Sequence, residues 1–267
     1  RDAWLGLAVH PAGKLLYVSG GSQSSVYEVG IDDDGRLQLL RTFTVTPEAE
    51  RKHTDFVGDV QVSPDGRLVY VAGLSTDSVK GINPQSGRVI EDFKTGPRPY
   101  RILFHPDGKS FFVSSWSGSA VTQHDAASGN LMSRTPTGAH PTDMLWRDKV
   151  TAEEEGESSE FAARIFVTAG NTNTVSVLGV TAAKEVRNIE TMNVALTPAQ
   201  PAGMTPSALA LSEDGTKLFV VCSDANAVAV ADISGARSRV MGFIPTGWYP
   251  IAARTLAGDR LAIFNGR

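Results

Sequence analysis

The chain has 267 residues, 41% of them hydrophobic and 20% charged, with a formal net charge of −4. That balance supplies a sizeable core, excludes a disordered chain, and argues against a non-specific nucleic-acid binder, whose affinity grows with the phosphates it neutralises. No run approaches the ~18 apolar residues of a membrane-spanning helix.

The opening RDAWLGLAVHP is already patterned and shows no charged-then-apolar leader. Both it and the abrupt end LAIFNGR are expected to be cut from something longer. From there one design recurs: VHPAGKLLYVSG (9–20), VSPDGRLVYVAG (62–73), FHPDGKSFFVSS (104–115), LSEDGTKLFVVC (211–222) and an eroded TLAGDRLAIFNG (255–266). Each is an apolar run, a turn built on Gly with Pro or Asp, and a second β-branched and aromatic run, which predicts a hairpin. Third runs follow as SSVYEV, DSVKGI, SAVTQH, NTVSVL and NAVAVA, and a fourth comes after turns such as NPQSG (83–87). Four short strands at a period of about 42 residues, without helical periodicity, predict one antiparallel sheet per repeat.

Such a sheet cannot bury both faces alone, so sheets must stack, and radial stacking is the economical solution. The expected fold is therefore all-β: a single β-propeller domain over 1–267, with four-stranded blades at about 1–45, 57–96, 99–138, 142–190 and 206–246 and a half blade at 250–267. Segments 46–56 and 191–205 lengthen two blade connections. Residues 147–163, with five glutamates, replace the tight turn of the fourth blade and are expected to form a solvated loop.

The lines SPDGRLVYVAGLSTDSVKGINPQSGRVI and TGWYPIAARTLAGDRLAIFNG resemble YVTN-type (YncE-like) β-propeller repeats over nearly the whole chain. RDAWLGLAVHPAGKLLYVSGG and SRVMGFIPTGWYP further resemble the propeller region of bacterial proteins that carry a C-terminal alkaline-phosphatase-like phosphoesterase domain. The resemblance implies a ring of about seven blades, a periplasmic or extracellular location, and a phosphoesterase partner domain in the same polypeptide. No phosphatase motif lies in this sequence.

The connectors TGPRP (95–99), TGAHP (137–141) and TGWYP (246–250) keep a frame and vary its central pair. Thr is expected to end an outer strand, Gly to permit the crossing, and Pro to start the next inner strand. The variable pairs then place Arg98, His140, Trp248 and Tyr249 on one rim of the channel, with Trp4 and Trp116 on the same face. The competing reading for a Trp, and the favoured one, is a wedge between blades. Trp146 is expected to pack.

Aligning the first strands puts Gly6, Asp59, Arg101, Asp143, Ala208 and Ala252 in one column. Asp59, Arg101 and Asp143 are either an ion network that holds adjacent blades together or a polar site where Arg101 binds an anion. The candidate ligand site is thus Asp59, Arg98, Arg101, Trp116, His140, Asp143, Trp248 and Tyr249, suited to a small molecule, glycan or peptide at the channel mouth. No catalytic residue, cofactor or metal is assigned. His10 and His105 read as turn residues, His124 as exposed, and Asp65, Asp107 and Asp214 as bonding the backbone of their own turns rather than calcium. Cys222 reads as a small buried hydrophobe.

These features point first to a non-catalytic binding or scaffold module of a larger exported bacterial protein. The alternatives are a channel enzyme of the lactonase type, needing acid–base groups among Asp59, Asp143 and His140, and single-stranded DNA binding, which the acidic balance disfavours.

Overall fold

The structure is a computed structural model and describes residues 6–148, 160–197, 200–258 and 260–266. The first sheet comprises β1 (Leu7–Val9), β2 (Leu15–Ser19), β3 (Ser25–Ile31) and β4 (Leu37–Thr44), and the second β5 (Val57–Val62), β6 (Val69–Gly73), β7 (Ser78–Asn83) and β8 (Arg88–Lys94). The third holds β9 (Pro99–Phe104), β10 (Ser110–Ser115), β11 (Ala120–Asp125) and β12 (Leu131–Pro136). The fourth holds β13 (Pro141–Asp148), β14 (Phe161–Ala169), β15 (Thr174–Thr181) and β16 (Val186–Asn193). The fifth holds β17 (Pro206–Leu211), β18 (Lys217–Cys222), β19 (Ala227–Asp232) and β20 (Arg239–Pro245); β21 (Pro250–Leu256) and β22 (Arg260–Asn265) form a two-stranded sheet. All pairings are antiparallel between successive strands, and no helix occurs among the described residues. This is the all-β, four-stranded-blade architecture expected of a propeller.

The chain divides into two compact units, residues 1–118 with 122–134, and residues 119–121 with 135–267. In the first, β5 lies between β1 and β9, so the first strands of successive sheets are neighbours. Strand alternation explains the stacking. On β6, Val69 and Val71 join a cluster with Tyr17, Val26 and Phe43 of the first sheet, whereas Tyr70 and Ala72 join Ile102, Phe111 and Val113 of the third. A period of two in side-chain direction lets one strand feed both interfaces.

The second unit repeats the device. Leu218, Val220 and Cys222 on β18 pack with Phe166, Val175 and Val177 of the fourth sheet, while Phe219 and Val221 face Ala253, Leu261 and Ile263 of the last. Cys222 is fully buried, and burial pushes its thiol up to about 12, which keeps it an unreactive core residue. The connection 191–205 does more than lengthen a loop, because Val194 and Met204 are fully buried in the cluster beside Cys222.

Turn chemistry follows the sequence. Asp65, Asp107 and Asp214 accept the N–H two residues on, from Arg67 (3.0 Å), Lys109 (2.9 Å) and Thr216 (3.0 Å). The rings of His10 and His105 accept the Ala12 and Asp107 N–H groups. His124 is a correction: the ring expected to be exposed is 1% accessible. It stacks on Phe111 at 5.3 Å and bonds Thr122 Oγ1 and the Gly129 carbonyl. Its strand, β11, is an interior strand of the sheet, and five consecutive residues of it are buried. Most of the glutamate-rich loop falls in 149–159, outside the described residues.

Candidate functional site

The connectors build the site from the backbone upward. The second residue of each variable pair adopts a left-handed conformation, with φ of 51° at Arg98, 55° at His140 and 54° at Tyr249. Such a non-glycine conformation costs about 1–3 kcal/mol and persists only where surrounding bonds over-determine it. Here the bonds are visible. The Arg98 N–H donates to Asp77 Oδ1 at 2.9 Å, and the Tyr249 N–H to Asn226 Oδ1 at 2.7 Å. One residue ahead of the Gly, Thr95, Thr137 and Thr246 donate their N–H groups to the carbonyls of Asp77, Ser119 and Asn226. The carbonyls of Arg98, His140 and Tyr249 in turn accept N–H groups of Trp116, Gly170 and Gly266, just past the ends of the second strands. A following Pro already steers its predecessor away from the right-handed helical region, and Pro99, Pro141 and Pro250 open β9, β13 and β21 as expected.

The Gly of the frame has a different reason from the one expected. It is close approach: a Cβ on Gly138 would sit 2.6 Å from the Ala169 Cβ and 2.5 Å from Thr172 Oγ1. The same crowding meets Gly96 at Ser115 and Gly247 at Asn265.

The column of first-strand residues is also visible in hydrogen bonds. The N–H groups of Gly6, Arg101 and Asp143 donate to Ser19 Oγ, Ser114 Oγ and Thr168 Oγ1 at 3.0, 3.0 and 2.8 Å. The side chains at this position reach the next sheet. Fully buried Asp59 places Oδ1 3.0 Å from Arg101 Nη1 and accepts the Ile102 N–H on Oδ2 at 2.8 Å. In the second unit, Asp143 accepts the Leu209 N–H on Oδ2 at 2.9 Å and the Met144 N–H on Oδ1 at 3.0 Å. Both carboxylates therefore strap one sheet's first strand to the next, Asp59 through Arg101 and the Ile102 N–H, and Asp143 through the Leu209 N–H rather than through an ion pair with Arg101. In the first sheet the position is Gly6, whose Cβ would lie 2.4 Å from the Val60 N, leaving room for no side chain.

At the connector end of β9 two arginines lie three residues apart, Arg98 and Arg101. Arg101 keeps 15% of its side chain accessible beside Asp59. Arg98 is exposed, and its guanidinium lies over the Trp116 ring, 5.6 Å from the centroid. A flat aromatic face with two guanidiniums at one strand end suits a ring-shaped ligand carrying a polarised oxygen or a negative charge.

In the second unit His140 is half-buried, Trp248 is 66% exposed and Tyr249 38%. Trp248 thus corrects the favoured wedge reading, because its αL-flanked connector carries it out of the sheet interface. Trp146 is half-buried and donates to Asp148 Oδ1 at 2.9 Å, and Trp4 lies outside the described residues. Residues the sequence reading passed over are Asp77, Asn226 and Ser114. For Asp77 and Asn226 the signal was available: a Ser, Asp or Asn precedes every third strand (Ser24, Asp77, Ser119, Asn173, Asn226), always at positive φ. Among the described residues no three His, Cys, Asp or Glu side chains gather as a metal site.

A family model described as Lactonase, 7-bladed beta-propeller, matches residues 6–146. No curated protein matches the chain. Among solved structures, a protein from Lactobacillus plantarum is similar at TM-score 0.70 and 16% identity, covering 98% of this chain and 74% of its own. A candidate 6-phosphogluconolactonase from Bacteroides fragilis gives 0.67 and 17%, covering 95% and 71%. Hydrazine synthase of Kuenenia stuttgartiensis gives 0.54 and 15%, covering 99% and 96%. At these identities the likeness is one of fold.

Proposed function

The chain belongs to the lactonase family of seven-bladed β-propellers, and from that premise we propose that it opens a lactone ring by hydrolysis at the connector end of the third sheet. The observation that carries the reading is Arg101, clamped by fully buried Asp59 inside the matched segment. Two structural neighbours named as candidate 6-phosphogluconolactonases support a sugar-acid lactone as the substrate class.

In this reading water adds to the lactone carbonyl carbon, and the carbonyl oxygen takes up negative charge. The ring C–O bond then breaks, and a proton from the attacking water ends on the ring oxygen. The product is a hydroxy acid, which loses its acid proton to solvent. Arg101 donates charge-assisted hydrogen bonds to the oxygen where charge develops, the kind of contribution that single donors make on a scale of about 10²–10³ in rate. Trp116, with Arg98 over it, supplies the face for the ring. Asp59 and Asp143 accept backbone N–H groups, which ill suits either to take the proton from water.

The same observation favours a second reading, a non-catalytic binding platform, for which the partner proposed is a phosphoesterase domain in the same exported polypeptide. The two readings separate on the opening of glucono-1,5-lactone and its 6-phosphate, followed by acid release above the spontaneous rate. Acceleration lost in Arg101→Gln supports hydrolysis; spontaneous rates throughout favour the platform.

A further inference from the structure

In the first sheet His10 reaches across to its neighbour: its Nε2 donates to the Gly66 carbonyl, in the turn of the second sheet, at 3.1 Å. The second sheet carries Ser63 at that repeat position. The Ser63 hydroxyl stays within its own turn, donating to Asp65 Oδ1 at 2.6 Å and accepting the Leu68 N–H at 3.0 Å. Between this turn and that of the third sheet lies a cleft of about 830 Å³, within the ~300–1,000 Å³ of small-molecule sites. It belongs wholly to the first unit and to the turn ends of the strands: Phe104, on its wall, closes β9, which Pro99 opens at the connector. The matching place between the fifth and last sheets is a contrast. There Lys217 and Thr255 stand where this cleft has Leu68 and Phe104, and the space is about 180 Å³.

The walls indicate what would fit. Leu68, Phe104 and Ala126 form the partly buried end of the core between the second and third sheets. Tyr70 fixes that floor by meeting Phe104 edge-on, centroids 4.9 Å apart, and by donating to the Ala126 carbonyl at 3.0 Å. Around the floor stand the carboxylates of Asp65, Asp107 and Asp125 and the cations of Arg67 and Lys109. Each carboxylate is pre-set by its own turn: Oδ1 accepts the N–H of Arg67, of Lys109 and, for Asp125, of Ala127 and Ser128. Pre-set groups lose little freedom on binding. Charges of both signs in near balance give little net pull on a strongly charged ligand. A hydroxyl both donates and accepts, and so suits carboxylate and cation alike. We propose that this cleft binds a short neutral saccharide, one ring laid on Phe104 and its hydroxyls bonded to the carboxylates and cations of the rim. The site lies at the strand ends opposite Arg101 and does not depend on lactone opening.

The test titrates the full chain with maltotriose, cellotriose and triacetylchitotriose at millimolar concentration, read by saturation-transfer NMR and calorimetry. Trilysine and inorganic triphosphate serve as charged probes. Ser63→His copies the first sheet and fills the cleft, in a turn whose His10 and His105 rings accept the N–H two residues on. Phe104→Thr copies the last sheet and removes the aromatic face. Each is expected to weaken saccharide binding about tenfold or more, the scale of losing a central aromatic anchor, with the Ser63→His melting temperature unchanged. Ser63→His stays decisive if Phe104→Thr fails to fold. Affinity within twofold of the parent in Ser63→His overturns the inference, as does a parent that takes none of the three sugars or only a charged probe.

Discussion

Replacing Asp143 with alanine tests the strap between the fourth and fifth sheets. The carboxylate is 7% exposed and accepts two N–H groups, one of them Leu209 on the neighbouring sheet. Alanine leaves the Leu209 N–H buried without that acceptor and removes a charge-assisted bond, for a total of about 3 kcal/mol. In a chain of this size that is a fall in Tm of about 6–12 °C. Asparagine retains one acceptor toward Leu209 but turns an N–H toward Met144, so roughly half the loss is expected. Thermal unfolding followed by circular dichroism, with urea titration at 25 °C, reads both variants. An Asp143→Ala chain melting within about 2 °C of the parent would refute the strap, since a residue of median importance costs only ~1 kcal/mol.

Other substitutions probe the remaining reasoning. Gly138→Ala should cost about 1–3 kcal/mol in the same melts by driving a methyl into Ala169, whereas Gly242→Ala, with nothing within 4 Å, should be neutral or stabilising. Trp248→Ala should change stability by less than ~0.5 kcal/mol, because the ring is 66% exposed; a loss of several kcal/mol would restore the wedge. Burial lowers the His124 pKa below 6.5, so the fold holds a neutral ring while the unfolded chain takes up a proton first. Stability present above pH 6.5 should be lost as pH falls through the lower folded value, and His124→Gln should flatten that part of the profile between pH 7 and 5.

The sheets were legible because their signals are local. Repeated turns fix the hairpins, and period-two runs such as LVYVAG already contain both interfaces, Val69 and Val71 on one face and Tyr70 and Ala72 on the other. The column of Asp59, Arg101 and Asp143 was legible as a position, but its partners were not. Ile102 and Leu209 are bonded through backbone N–H groups, which leave no mark in side-chain type. The exposure of Trp248 and burial of His124 were missed for a similar reason: each follows from which strand or connector carries the residue, and composition is silent on that. Asp77 was readable only as one of a polar series, and the Arg98 N–H it holds, a backbone group, left no mark in side-chain type.

The central claim is that Arg101, braced by Asp59, makes this propeller a lactone-opening enzyme. Progress curves of acid release from glucono-1,5-lactone and its 6-phosphate, taken on the parent chain and on Arg101→Gln with matched melting temperatures, test it most directly. The account predicts acceleration over the spontaneous rate by the parent and a drop of about 10²-fold or more in kcat for the variant. Equal rates for parent, variant and buffer would contradict it.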